Sequence, residues 1–407
     1  MAEIRPLNAI HYASDVALDD VVAPPYDVID DEQRAALLAR SPHNVVEVDL
    51  PVGEQPYEHA AETFAAWLEQ GVLVRDDEPA LWALTQEYAD PDGERRTRSG
   101  FFAAVRVEDY GPGRIRPHER THPGPKEDRL RLTRATRANL SPIFSLYSGT
   151  SGWDAIRPHL DAEPFGVHTD DDGTTNRLWR IADPGTIARV VDALKDAELL
   201  IADGHHRYET ARVYAAEQGT PEAGWVLMCL VSLEDPGLSI FPTHRLARNR
   251  GTVRYENLAQ TLKDHFQIAE VGEDDLAPPL TDGALQLGYL DSHFQRPFRL
   301  TYVGEAPTGL QGPLAHLDTA VLEQLILKGP LELTDADISH LNDFGYARDR
   351  RQAIELVRSG EFDVAFLMRP TPVEQVREVA AAGQSMPPKS TYFFPKVPTG
   401  LIFNPLQ

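Results

Sequence analysis

ELLIADGHHRYETA, residues 198–211, is the stretch on which the fold turns. Residues 199–202 form a short apolar run of the kind that makes a buried strand. Asp203 and Gly204 turn the chain, and a helix is expected to start at about His205 and to run to Gly219, which stops it. A helix start exposes unpaired backbone N–H groups and the positive end of the helix dipole, so its first turn favours Asp and Glu. This one carries His205, His206 and Arg207. Each cation there opposes the dipole by about 0.3–1 kcal/mol. A bound phosphate would remove the conflict by gathering the free N–H groups, the Gly204 backbone, the imidazoles and the guanidinium. Gly204 lets a ligand approach the main chain closely. The alternative is that His205 and His206 are neutral, one packed and one exposed, with Arg207 paired to an acidic neighbour. Two adjacent His make a poor metal site, because neighbouring helical residues point in different directions.

Outward from this segment, strand-like runs occur at 44–50, 80–88, 99–107, 226–234 and 362–370. Helical patterns cover 57–70, 186–196 and 373–383; Ile187, Val190, Val191 and Leu194 keep the i, i+3, i+4, i+7 spacing. Helices and strands mix throughout, so the expected class is α/β or α+β, with mixed sheets and packed helices. Breaks at the Gly/Pro-rich 111–125 and near 248–257 suggest three lobes, 1–110, 111–250 and 251–407.

The chain has 407 residues, 42% hydrophobic and 25% charged, as in an ordinary soluble protein. No apolar run is long enough for a membrane span, and MAEIRPLNAI lacks a signal-peptide core. Cys229 is the single cysteine, which excludes an internal disulfide and a cysteine metal cluster, and makes the cytoplasm the expected compartment. A net charge of −24 opposes binding to nucleic acid or an anionic membrane. Against that background Arg114, Arg116, Arg120, Lys126, Arg129, Arg131, Arg134 and Arg137 face only Glu119, Glu127 and Asp128. The island is either a solvated face paired with acidic neighbours or a pocket for a small polyanion such as a nucleotide.

HERTH, 118–122, fits the H-E-x-x-H pattern of zinc peptidases. That chemistry needs a helix to put both His on one face. Pro117, Pro123 and Pro125 flank the motif, with Gly111, Gly113 and Gly124 nearby, so the stretch is read as loop rather than as a zinc helix. Elsewhere, Thr243, His244 and Arg245 group a hydroxyl, an imidazole and a guanidinium, as an anion contact or as a turn with surface pairs. Lys389, Ser390, Thr391 and Lys396 follow a Met-Pro-Pro loop. Tyr26 and Asp27 follow two prolines, in a loop that either presents them to a substrate or is a structural turn. No G-x-x-x-x-G-K-[ST], G-x-S-x-G or G-x-G-x-x-G signature is present in the setting it needs.

DGHHR, after a strand and opening a helix, resembles the phosphate-binding element of the ParB/sulfiredoxin-like superfamily, which includes partition proteins, sulfiredoxins and free-serine kinases. The resemblance implies a ParB/sulfiredoxin-like central core, with Gly204, His206 and Arg207 as phosphate contacts. VAPPYDVI (22–29), HERTHPGPKEDRLRLTRATRANLSPIFSLYSG (118–149), LLIADGHHRYETA (199–211), FPTHRL (241–246) and MPPKSTYFFPKVPTGLIFNP (386–405) together resemble the family of domain of unknown function 1015, along the whole chain. In that pattern His118, Glu119, Thr121, Pro125 and Lys126 form one element and His122 is incidental to it. These readings lead to a nucleotide-dependent phosphotransferase acting on a small hydroxylated metabolite, with ATP or ADP and Mg²⁺ as expected cofactors. Phosphoryl transfer needs charge neutralisation and a base for the acceptor hydroxyl. Lys126, Arg129, Arg207, His206, His244 and Arg245 would supply charge, and Glu119 the base. Asp203 would orient an imidazole such as His205, or hold Mg²⁺. Tyr26, Asp27, Lys389, Ser390 and Thr391 would meet the substrate. The alternatives are a nucleotide-binding regulator without metabolic turnover, and a ParB-like nucleic-acid protein or nuclease.

Overall fold

Strand Arg95–Arg106 shows how the first half of the chain is built. Phe101, Phe102, Ala103 and Ala104 are all fully buried, so both faces of this strand are covered, which only a central strand allows. In the computed structural model it pairs antiparallel with Leu81–Ala89 on one side and with Trp225–Ser232 on the other. Trp225–Ser232 continues in parallel to Ile143–Tyr147, which pairs antiparallel with Leu199–Asp203. Among the described residues the sheet has nine strands and mixed direction. The structure describes every residue except 1, 92, 120, 122, 249–251, 281 and 282, and the side chains of 123, 125, 252 and 253.

The contacts divide the chain into two units. The first comprises Met1–Pro117, Thr121–Ser239 and Pro395–Gln407; the second comprises His118–Arg120 and Ile240–Phe394. The three consecutive lobes read from the sequence are therefore not how the contacts divide. Strands from 1–110 and from 111–250 share one sheet, and the break near 248–257 falls inside the second unit, with 249–251 outside the described residues. The second unit is built on a six-stranded sheet in the order Phe266–Glu270, Phe298–Tyr302, Gln286–Asp291, Val364–Leu367, His244–Ala247, Phe344–Ala347. The mixed α/β class expected from the sequence is what both units show.

One side of the first sheet packs Phe101, Ala103, Val105, Ile143, Met228 and Ile201 against Trp153, Val190, Leu194 and Tyr208 from three helices. Fully burying each such side chain is worth about 1.5–3 kcal/mol. Elsewhere in the first unit the C-terminal segment Pro395–Gln407 is stitched to N-terminal backbone. Ala23 and Thr399 exchange backbone hydrogen bonds, as do Ile10 and Phe403, and Asn404–Pro405 pairs with Ala138–Asn139. Val397, Leu401, Ile402, Phe403 and Leu406 of this segment are buried.

Two local expectations fail for clear reasons. Residues 44–50 alternate like a strand, yet Val46–Asp49 is a short helix. The buried amide of Asn44 accepts from the Val46 N–H at 3.2 Å and donates to the Asp20 carbonyl at 2.8 Å, which winds the chain at that point. Pro123 and Pro125 do not break a helix; Pro123–Thr136 is one. They occupy its first turn, where the missing N–H groups have no intrahelical partner to lose.

Candidate functional site

Leu199–Asp203 is a strand and His205–Gln218 a helix, closely as the sequence reads. Gly204 is the N-cap at φ +95°, a left-handed geometry suited to glycine. A Cβ there would stand 3.0 Å from Arg207 Nε and 3.1 Å from its Cζ, so the guanidinium lies folded back over the turn. It hydrogen-bonds the Pro142 carbonyl, the Ser141 hydroxyl and Asp203 Oδ2. Lys396 Nζ, from the C-terminal segment, takes the other Asp203 oxygen. Burial would raise the Asp203 carboxyl, but Lys396 and Arg207 outweigh it and hold the group well below the usual carboxylate range. His205 is buried and His206 half-buried. Arg207 thus does pair with an acid, and Lys396 shares that carboxylate.

Helix Pro123–Thr136 packs beside this helix, where the Thr210 hydroxyl donates to the Lys126 carbonyl at 3.4 Å. Arg129 is buried, donates to the Asp49 backbone carbonyl at 2.7 Å and to its carboxylate at 3.1 Å, and stacks over Tyr26 with its Cζ 4.2 Å from the ring centroid. Burial pushes the Tyr26 phenol up to about 12, against the pull of Arg207, so Tyr26 is a donor at neutral pH. Asp27 is exposed beside it. Asp49, Arg129, Asn139, Ser141, Arg207 and Thr210 line one cleft of about 40 Å³, room for a few water-sized groups. Four others of the basic island are ion-paired, Arg114 with Glu108, Arg116 with Glu198, Arg131 with Glu127 and Arg134 with Glu217, while Arg137 donates to Gln407 Oε1 at 3.4 Å. Its solvated-face reading holds for these four, while Arg120 lies outside the described residues.

Sequence reasoning missed Arg98. It is 1% exposed, in the central strand, and pairs with no carboxylate among the described residues. Its guanidinium donates to Gln86 Oε1 and lies over the Phe144 ring at 4.4 Å. Gln86 in turn donates to the Lys396 carbonyl at 2.9 Å, which ties Arg98 to the segment carrying Lys396. Burial lowers Arg98 to about 10, still charged at neutral pH. The signal available in the sequence was a charged residue in phase with Gly100 and Phe102 on a strand whose other face is apolar.

The remaining candidates belong to the second unit. Glu119 is three residues from His122 in no helix: it forms a bridge with Met386, and the buried His118 contacts Thr391 Oγ1 at 3.0 Å. His118 and Glu119 precede the helix at Pro123, and His122 lies outside the described residues. Glu119 stands within electrostatic reach of Arg245 and Tyr346. Arg245 is buried and donates to the carbonyls of Thr243, Pro388 and Lys389. Ser390 donates to the Pro387 carbonyl at 2.7 Å and meets Thr319 at 2.8 Å, so Ser390 and Thr391 are buried packing groups and not an open hydroxyl pair. Lys389 is exposed at φ +56°.

His244 is in a buried strand and not on a surface turn, which corrects its reading as a phosphate cation. Its Nδ1 accepts the Met368 N–H at 3.1 Å, and burial, then Arg245, lower it to about 4. It is neutral in the folded state. An unfolded His titrates near 6.5, so the unfolded state binds the extra proton between about pH 6.5 and 4, and stability falls as pH falls through that window. The second unit is expected to lose up to about 3 kcal/mol there, and His244→Gln to flatten the slope in pH-dependent melting curves.

Mg²⁺ does not fit at Asp203, because each of its oxygens already holds a cation. Among the described residues no group of three or more His, Cys, Asp or Glu is placed to hold a metal ion. No helix among them is long and apolar enough to cross a membrane.

The family model described as a protein of unknown function, DUF1015, matches residues 4–359. The chain belongs to the DUF1015 family. A search of curated proteins found no match. Similar solved structures include a free serine kinase mutant in complex with AMP, at 14% identity and TM-score 0.38, covering 70% of this DUF1015 chain and 89% of that one. A C-terminally truncated SbnI from Staphylococcus aureus has 14% identity and TM-score 0.39, over 75% and 87% of the two chains. A conserved hypothetical protein from Pyrococcus furiosus has 15% identity and TM-score 0.35, over 70% and 92%.

Proposed function

We propose that this DUF1015 protein is a nucleotide-dependent phosphotransferase acting on a small hydroxylated metabolite. The observation that supports it is the pair of cations, Arg207 and Lys396, held on one buried carboxylate at the start of a helix whose first turn lacks acids. Such a start offers backbone N–H groups beside cationic side chains in a place shielded from solvent, where charge-assisted bonds to phosphate oxygens are strong. The 40 Å³ cleft beside it is of phosphoryl size. The base of the nucleotide, the ribose and the acceptor would lie outside this cleft.

The expected result is that the full chain binds ADP in a calorimetric titration, and that ATP with a mixture of small hydroxylated metabolites yields a phosphorylated product by mass spectrometry. Negligible heat with both nucleotides would end this reading.

A nucleotide-binding regulator without metabolic turnover is the second reading. It is favoured by Asp203, which its two cations hold ionised and occupied, and by Tyr26, held protonated; neither accepts a proton at neutral pH. It predicts the same ADP binding with no phosphorylated acceptor.

A further inference from the structure

The cleft of about 40 Å³ in the first unit is lined by two arginines that already have acids. Arg129 pairs with Asp128 and Asp49, and Arg207 pairs with Asp203. What the lining leaves unmatched is a donor and an acceptor. Arg207 Nε is a buried N–H without an acceptor among the described residues. Asp49 Oδ1 accepts from Arg129 Nη1 at 3.1 Å, whereas Asp49 Oδ2 accepts from no described residue. The two side chains are only 9% and 4% exposed, and polar atoms at such depth are normally satisfied. Asn139 adds a second donor. Its Oδ1 accepts from the Leu227 N–H at 3.1 Å and from Asn404 Nδ2 at 2.9 Å, which leaves its own Nδ2 without an acceptor among the described residues. Burial raises the Asp49 carboxyl, and Arg129 and Arg207 pull it back only in part, so the Arg207 charge reaches Asp49.

We propose that this cleft selects a phosphorus oxyanion that still carries a proton, and that Asp49 makes it reject sulfate. This rests on the phosphate reading above and deepens it, by naming the protonation state of the group that is recognised. One phosphate oxygen accepts from Arg207 Nε and another from the Asn139 amide, and bonds from a charged donor to an anion are strong. The P–OH donates to Asp49 Oδ2. Sulfate at neutral pH has four bare oxygens and nothing to donate, so one of them must face the carboxylate, and like charges at contact repel. A site whose buried polar group needs a donor discriminates strongly against an analogue that lacks one. Asp49 is thus a specificity-determining residue, supplied by the short helix Val46–Asp49. Free hydrogen phosphate and the terminal phosphoryl of a nucleotide both offer this P–OH.

The test titrates the full-length chain with inorganic phosphate and with sulfate, at neutral pH and equal ionic strength. Wild type should bind phosphate about a hundredfold more tightly than sulfate. Asp49→Asn keeps the shape of the side chain: its amide oxygen serves Arg129 and its N–H turns to the cleft. Sulfate should then bind within about threefold of phosphate. Removing the charge also weakens the buried pair with Arg129, so a melting curve checks that the variant is folded. The readout is a ratio of two affinities, which a general loosening does not move, and the wild-type ratio stands as a test even if Asp49→Asn fails to fold. ADP that displaces phosphate assigns the group to the nucleotide's terminal phosphoryl, and ADP that binds beside phosphate assigns it to free phosphate; either result supports the proposal. Equal affinities for phosphate and sulfate in wild type, or an Asp49→Asn variant that keeps the wild-type ratio, overturn it. ADP binding without phosphate binding leaves the cleft to water and overturns only this inference. Absence of both phosphate and ADP binding overturns the phosphotransferase reading as well.

Discussion

Arg207→Ala is expected to weaken ADP binding by about a hundredfold, the equivalent of two charge-assisted hydrogen bonds to a phosphate. The same change leaves the Pro142 carbonyl without the guanidinium that fills its side of the cleft, and leaves Asp203 with Lys396 alone. It should therefore also cost about 1–3 kcal/mol of stability, seen as a drop of several degrees in the melting temperature of the first unit. The two effects separate with Arg207→Lys, which keeps the charge but cannot span Asp203, Ser141 and the Pro142 carbonyl together. That variant should recover part of the affinity and little of the rigidity. Full ADP affinity in Arg207→Ala, by titration, would show that the helix start does not hold phosphate.

Deleting Pro395–Gln407 should have the largest effect of all. Five buried side chains go with it, each worth about 1.5–3 kcal/mol. The loss, roughly 8–15 kcal/mol, matches the whole stability of an ordinary domain. Phe403 and Thr399 also leave the N–H and carbonyl groups of Ile10 and Ala23 unpaired. The first unit of the shortened chain should be cut at low protease concentration, while fragments within Ile240–Phe394 survive longer. Equal resistance of both units would show that the segment is an ornament.

The sequence was most legible where one local rule decided the outcome. The apolar run, the Asp-Gly turn and the terminal Gly219 placed a strand and a helix within a residue of where they lie. The helix at Pro56–Glu69 and the strands around Phe101 and Cys229 followed in the same way from periodicity. Legibility failed where a distant residue overrode a local pattern. Val46–Asp49 alternates like a strand, but a buried Asn44 amide turns it into a helix. His244 carries the chemistry of an anion contact, but a backbone N–H from Met368 makes it a packing group. For the candidate site, the helix start was visible because its first turn breaks the dipole rule. Tyr26 and Arg129 were named for their local context, and the fold brings them together with Asp49. Arg98 escaped notice because it matters only through Gln86, and Lys396, singled out after the Met-Pro-Pro loop, could not be joined to Asp203, far away in sequence.

The position of Lys396 in the chain has a consequence for biosynthesis. Ile240–Phe394 must all leave the ribosome before the segment that completes the first unit is made. At about 5–20 residues per second this is a delay on the order of ten seconds, during which Ile10, Ala23 and Ala138 wait with open backbone edges. Because the same late segment brings the ammonium that meets Asp203, that contact forms only after residues 240–394 have been made.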